Sequence, residues 1–333
     1  MACEAIVYAR AGLMGNPSDG YYGKTLSVAI RNFAARVSLY EHPELEIVPS
    51  FQDRSIYPGM RELAEDVRRN GYYGGIRLMK AAIKRFYDYC VRHEIPLDQR
   101  NFSIRYRSTI PRRLGLAGSS ALVTATMRCL MEFYDVDIPK PVLPGLILEV
   151  ETEELGIAAG LQDRVIQVYG GLVFMDFSRD LMERQGHGNY EELDPALLPP
   201  LFLAYRAELG EGSEVVHNNI RQRWLDGDPE VHQAMRDFAA YAQEARDLLV
   251  TGRGMEIGPL MDRNFERRRS IMNLDPGNIE MVEVARSVGA HAKFAGSGGA
   301  IVGMYYDEAM FERLREAMEA RGITVIRPDI DAP

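Results

Sequence analysis

Three cysteines in 333 residues, at positions 3, 90 and 129, are too few, too far apart and odd in number to build a disulfide framework. Cys90 and Cys129 fall on apolar helix faces and read as buried thiols. No cysteine and histidine cluster has the spacing of a zinc site, and the six histidines are scattered. Basic residues are also short. The 39 Lys and Arg stand against 48 Asp and Glu, a net charge of −9 that disfavours a general nucleic-acid binder. No apolar run approaches a membrane span, and the stretch from Met1 to Tyr8 is too short and too acidic for a signal peptide. The cytoplasm is the expected compartment, with no membrane or nucleic-acid partner. The sequence does not fix an oligomeric state.

What remains is an ordinary globular composition, 46% hydrophobic and 26% charged. A chain of this length buries a large core and is expected to divide in two. The polar, proline-punctuated run from Arg179 to Pro200 is the best boundary, giving units of 1–185 and 186–333. Strands are expected over Glu4–Arg10, Asn32–Tyr40, Glu44–Ser50, Phe102–Thr109 and Leu172–Phe177, with a helix over Gly74–His93. The second half opens on a strand, Leu201–Tyr205, followed by helices over Ser213–Leu225, Pro229–Leu249, Gly254–Met272 and Asn278–Val288. It closes on two strands, a helix and a last strand, Thr324–Ile326. Strands and helices alternate without a strict βαβ rhythm, so the class is α+β.

The most informative stretch is Pro111-Arg-Arg-Leu-Gly-Leu-Ala-Gly-Ser-Ser-Ala121, set between a strand and a long amphipathic helix. Gly115 and Gly118 let the backbone approach a ligand closely, and Ser119 and Ser120 open the helix. Free N–H groups and the positive end of the dipole suit a polyphosphate there. Glycine and serine before a helix are also common cap chemistry, so this loop alone leaves both readings open.

Three other patterns bear on that choice. Ser18-Asp-Gly-Tyr-Tyr-Gly-Lys-Thr25 nearly matches a Walker A loop, but Ser18 replaces its first glycine and two tyrosines fill its middle. It reads better as a loop presenting Asp19, Tyr21, Tyr22 and Lys24 to a polar substrate. Glu149, Glu151, Glu153 and Glu154 cluster near a helix end, and Asp163 begins a new helix in a small, apolar setting. A solvated acidic face is the ordinary explanation. The other is one carboxylate for Mg²⁺ and one for a proton. Lys293-Phe-Ala-Gly-Ser-Gly-Gly-Ala300 has more small residues than a hairpin needs. The basic runs Arg112-Arg113 and Arg267-Arg268-Arg269 read as solvated surface, the first flanking the cradle.

Loop, acidic pair and glycine turn, in that order, resemble the three motifs of the GHMP kinases. The first is similar to Ala9-Arg-Ala-Gly-Leu-Met-Gly-Asn-Pro-Ser-Asp19, the second to residues 111–121 with one extra residue, and the third to Lys293–Ala300. Within that superfamily the chain resembles the plant-type glucuronokinases. That likeness rests on Gly12–Asp19 with Tyr22–Thr25, Asn70–Gly75, Gly115–Ala121, Glu154–Ile157 with Ala159–Arg164, and Arg221-Gln-Arg-Trp-Leu-Asp-Gly-Asp228. The extra residue is shared with that group.

The resemblance implies a two-domain α+β fold. An N-terminal domain like ribosomal protein S5 domain 2 would meet a ferredoxin-like C-terminal domain, with the site between them. It implies ATP and Mg²⁺. Gly115, Leu116, Ala117, Gly118, Ser119, Ser120 and Ala121 would hold the triphosphate, Ser120 and Glu151 the metal. Asp163 would be the base, with Arg10 beside it and the transferring phosphate. Asp19, Tyr22 and Lys24 would face the sugar; Gly296, Ser297 and Gly298 would line the transfer site. The implied reaction is D-glucuronate plus ATP to 1-phospho-D-glucuronate plus ADP. A heptose, galactose or fucose kinase, a GHMP-fold decarboxylase and a non-catalytic nucleotide-binding module stay open. For the substrate carboxylate, Lys24, Arg112, Arg164 and Lys293 are the candidate cations.

Overall fold

The structure, a computed structural model, describes residues 2–50, 53, 59–61, 74–206 and 220–330. Two strands dominate the first half: β1 (Ala2–Met14) and β2 (Lys24–His42), paired antiparallel from Ala2↔Tyr40 to Met14↔Leu26. Both outrun their expected lengths. Early β1 buries alternate residues, as a half-exposed strand should, but from Ala9 to Met14 every residue is buried. Elements of the second half pack on that end as well. Glycine and alanine there serve close packing rather than turning, and that blurred the strand signal.

Strand β2 is the spine of the first sheet. Its C-terminal half pairs with β4 (Asn101–Ser108), which carries the short parallel β3 (Glu46–Val48). Its N-terminal half pairs with β5 (Leu172–Asp176), and β5 with β6 (Asn189–Leu193). Helix α1 (Gly75–Arg92) packs on α2 (Gly118–Tyr134), which lies on β1 and β2. After α3 (Leu143–Glu149), one π-helical turn, Val150–Glu154, leads toward α4 (Gln162–Tyr169). Helix α5 (Arg179–Gln185) precedes β6.

The second sheet begins with β7 (Leu201–Tyr205). Helices α6 (Pro229–Val250), α7 (Gly258–Ile271) and α8 (Pro276–Ser287) follow, then β8 (His291–Phe294), β9 (Ala300–Met304), α9 (Glu308–Glu319) and β10 (Thr324–Ile326). The spatial order is β10-β7-β9-β8 with every pair antiparallel, the ferredoxin-like arrangement. Of the helix expected over Ser213–Leu225, residues 220–225 are helical. Residues 213–219, and 70–73 of the Asn70–Gly75 segment, lie outside the described residues.

The boundary expected after residue 185 cuts through the first sheet, because β6 pairs with β5 along Leu172↔Leu193 to Asp176↔Asn189. We place the division between Leu193 and Leu201 instead. The halves are not independent. Ala242, Ala245 and Leu249 of α6 share one apolar cluster with Leu13, Leu26 and Val28. Gly12 N–H donates to Ala295 O at 2.8 Å, and Arg31 N–H to Asp329 O at 2.9 Å, tying the first sheet to the second half.

Candidate active site

One guanidinium joins the motifs. Arg10, 6% exposed on β1, donates from Nε to Asp163 Oδ1 at 2.6 Å. Its Nη1 donates to Gly115 O at 2.5 Å and to Ala295 O at 3.0 Å. Three segments, each more than a hundred residues from Arg10 along the chain, thus meet on a single side chain. An arginine is suited to this because its planar fork offers five donors in fixed directions.

The phosphate-loop geometry follows from its glycines. Gly115 has φ +62°, and a Cβ there would stand 2.7 Å from Ser297 N. A Cβ on Gly296 would stand 2.1 Å from Gly115 O and 2.7 Å from Arg10 Nη1. The two glycine turns therefore touch, backbone to backbone, as only residues without side chains can. Gly298 and Gly299 complete the second turn, with Gly299 N–H donating to Asn278 Oδ1 at 2.7 Å. Ala117, in the left-handed region at φ 63°, precedes α2, and no side chain caps that helix. The N–H groups of its first turn face the loop without a side-chain acceptor. Leu116 and Ala121 bury their side chains in the core, so they act through backbone alone.

The acidic cluster divides cleanly. Glu149, Glu153 and Glu154 pair with Arg85, and Glu154 with Lys84 as well. Glu151 instead turns inward from the π-helical turn and is 1% exposed. It accepts from Ser119 Oγ at 2.7 Å and from Arg164 Nη2. Arg164 also donates to Gly160 O at 2.8 Å, and its Nη1 lies 3.6 Å from Asp163 Oδ2. A continuous polar path therefore runs from the phosphate loop through Glu151 and Arg164 to Asp163. Ser120 Oγ donates to Ala117 O at 3.2 Å, so Ser119 rather than Ser120 meets Glu151.

Asp19 sits beside this path, in a short 3₁₀ turn, Ser18–Tyr21. Its carboxylate packs on Gly160, where a Cβ would stand 2.0 Å from Oδ2, and accepts from Gln162 N–H at 3.1 Å. Burial, and then the negative charge of Asp163, raise its pKa from 3.8 to about 6. Two neighbouring carboxylates, one of them hard to ionise, make an arrangement suited to handling hydroxyl protons. Next to it, burial and Asp19 raise the Tyr21 hydroxyl to about 12, opposed by the charge of Arg221.

Other expected residues stand elsewhere. Lys24 opens β2 rather than a helix, which removes the Walker A reading. It pairs with Asp176 at 3.0 Å and donates to Gln243 Oε1 at 2.8 Å. Tyr22 is exposed, with the Arg179 guanidinium 4.4 Å from its ring centroid.

Of two buried cations, the sequence read Arg268 as surface and offered Lys293 as a partner for the substrate carboxylate. Arg268, expected on the surface, is 3% exposed and donates to Gly296 O at 2.7 Å and to Ser297 O at 3.3 Å. Burial and Arg10 lower its pKa to about 10. The signal was there: Met261, Asn264, Phe265, Arg268 and Ile271 lie on one buried face at helical spacing. Lys293 donates to Gly12 O and Asn16 Oδ1, both at 2.6 Å, and to Phe294 O at 2.8 Å. Burial, Arg268 and Arg10 push it well below the usual lysine range, while three acceptor oxygens match the three donors of an ammonium. Arg10 and Arg268 put positive charge against the two glycine turns, a setting for an anion.

The donor set also fits magnesium bound with a nucleotide. Among the described residues, no three histidine, cysteine or acidic side chains converge to cage an ion. Glu151 and the serine hydroxyls are hard oxygen donors beside an anion-binding helix terminus, the partial shell magnesium takes when phosphate and water supply the rest. No helix among the described residues is long and apolar enough to cross a membrane.

Residues 77–171 match the model of the GHMP kinases N terminal domain. The chain is 48% identical to glucuronokinase 1 of Arabidopsis thaliana over 307 residues, 90% of this chain and 84% of that one. It is 48% identical to probable glucuronokinase 2 of the same plant, covering 89% and 82%. Among solved structures, the Lactococcus lactis galactokinase complexed with galactose superposes with a TM-score of 0.76 at 14% identity, covering 99% of this chain and 94% of that one.

Proposed function

Because this chain belongs to the GHMP kinases, in their glucuronokinase group, we propose that its cleft moves the γ-phosphoryl group of ATP onto the anomeric hydroxyl of D-glucuronate. The products are 1-phospho-D-glucuronate and ADP. The observation that carries the site assignment is the Arg10 junction, which puts a carboxylate, the phosphate loop and the second glycine turn on one side chain.

In this reading Asp163 accepts the proton of the C1 hydroxyl as its oxygen forms the new bond to phosphorus. The bond from phosphorus to the ADP oxygen breaks, and its electrons leave with ADP. Such a transfer depends on position and charge neutralisation more than on covalent help. Arg10 holds Asp163 aimed. The N–H groups of Gly115–Ala121 and the start of α2 take the phosphates. Ser119, Ser120 and Glu151 would hold magnesium, which neutralises phosphate charge when bound. Asp19 accepts hydrogen bonds from sugar hydroxyls, and Gly296–Gly298 bring backbone close to the transferred group.

The test is ADP release from purified protein across free sugars and uronic acids, with the product identified by phosphorus NMR. Saturable turnover of glucuronate to its 1-phosphate is expected. Turnover confined to neutral sugars would overturn the acceptor assignment.

A further inference from the structure

A uronic acid carries a charge that neutral sugars lack, so its kinase needs a cation on the acceptor side of the cleft. The four cations the sequence offered are committed elsewhere. Lys24 pairs with Asp176, Arg112 with Asp53, and Arg164 with Glu151; Lys293 is spent on three oxygens of the chain. Arg268 is held by the carbonyls of Gly296 and Ser297, and Arg10 by Asp163.

The Arg221–Asp228 segment, which marks the chain's likeness to glucuronokinases, has no part in phosphoryl transfer. Its place in the fold gives it another. Trp224 and Tyr21 meet with ring centroids 5.1 Å apart, and Tyr21 is two residues from Asp19 in the same turn. The indole is fixed from behind. His232 stacks on it at 3.7 Å and 11°, and places a ring nitrogen 3.0 Å from Trp224 O. Arg223 anchors the same helical stretch, donating to Asp228 Oδ2 at 2.8 Å and to Ile271 O at 2.7 Å. Residues three apart on a helix share a face, so Arg221 projects beside Trp224 toward Tyr21. It is exposed, and among the described residues it has no ion pair or hydrogen bond.

We propose that Arg221, steadied beside the Tyr21–Trp224 pair, binds the carboxylate of the uronic acid and so selects it over neutral sugars. This rests on the glucuronate reading above. The acceptor's carboxylate is carried on C5, across the ring oxygen from the anomeric carbon. With C1 at Asp163 and ring hydroxyls at Asp19, the next polar groups are Tyr21, in the Asp19 turn, and Arg221, whose charge acts on the Tyr21 hydroxyl. A guanidinium fits that end because it takes a carboxylate through two parallel hydrogen bonds.

The test compares wild type, Arg221→Met and Arg221→Lys with glucuronate and with glucose as acceptors. Arg221→Met should lower kcat/KM for glucuronate about 30- to 100-fold, since two charge-assisted hydrogen bonds are lost. The loss should lie in KM, with kcat nearly unchanged and glucose turnover unaffected. Arg221→Lys should recover part of the preference. An unchanged glucuronate-to-glucose ratio in Arg221→Met would overturn the assignment. Failure of the underlying reading looks different: wild type itself would then prefer the neutral sugar.

Discussion

Replacing Asp19 by Asn should make the protein more stable and a worse enzyme. Folding raises the pKa of this carboxyl from 3.8 to about 6, through burial and the negative charge of Asp163. Below about pH 4 both folded and unfolded chains hold the proton, and the group costs nothing. Between about pH 4 and pH 6 the unfolded chain releases it first, so stability falls as pH rises. Above about pH 6 the full penalty stands. A shift of about two units at 1.36 kcal/mol each sets an upper limit of about 3 kcal/mol. An asparagine carries no charge, and its amide oxygen keeps an acceptor for Gln162 N–H. The expected gain at pH 7.5 is therefore about 1–3 kcal/mol, shrinking toward zero near pH 4. Urea unfolding of both proteins from pH 4 to pH 8 measures this directly, and catalysis should suffer because the sugar loses a charged acceptor. A stability difference that is absent, reversed or flat with pH would refute the reasoning.

Four further outcomes test the site. Asp163→Asn should lower kcat about 10²- to 10⁴-fold while ATP binding, followed by calorimetry, is retained. Glu151→Gln removes the nearer counter-charge of the buried Arg164, leaving it Asp163 at 3.6 Å, and should cost about 1–3 kcal/mol in chemical denaturation. The double variant Glu151→Gln with Arg164→Met should regain much of that stability and none of the activity, which separates the pair's structural role from its catalytic one. Gly296→Ala forces a Cβ to 2.1 Å from Gly115 O, so the two turns must part; a raised KM for ATP and a lowered melting temperature are expected.

Local sequence decided a good deal. The glycine and serine run at 115–121, the inward period of α2 and the succession of short strands and helices from Leu201 to Ile326 follow from residues close together in the chain. The convergence of Asp163, Arg10 and the phosphate loop was legible through the ordered motifs. The resemblance to the GHMP kinases implied a shared site; no local rule brings residues 10, 115, 163 and 295 together.

Only the tertiary structure decided the rest. Whether a charged residue is solvated depends on what packs over it, and that information is not local. Arg268 sits in a run of three arginines that reads as surface, yet one of them enters the core beneath Gly296. Glu151 is one of four neighbouring acids, and the π-helical turn alone sends it inward to Arg164 and Ser119. Lys24 and Tyr22 carry suitable chemistry in a suitable motif, but only the fold gives Lys24 its pairing with Asp176 and sets Arg179 over the Tyr22 ring. Side-chain type is written in the chain; desolvation and partnership, which set what each charge can do, arise only when distant segments close over one another.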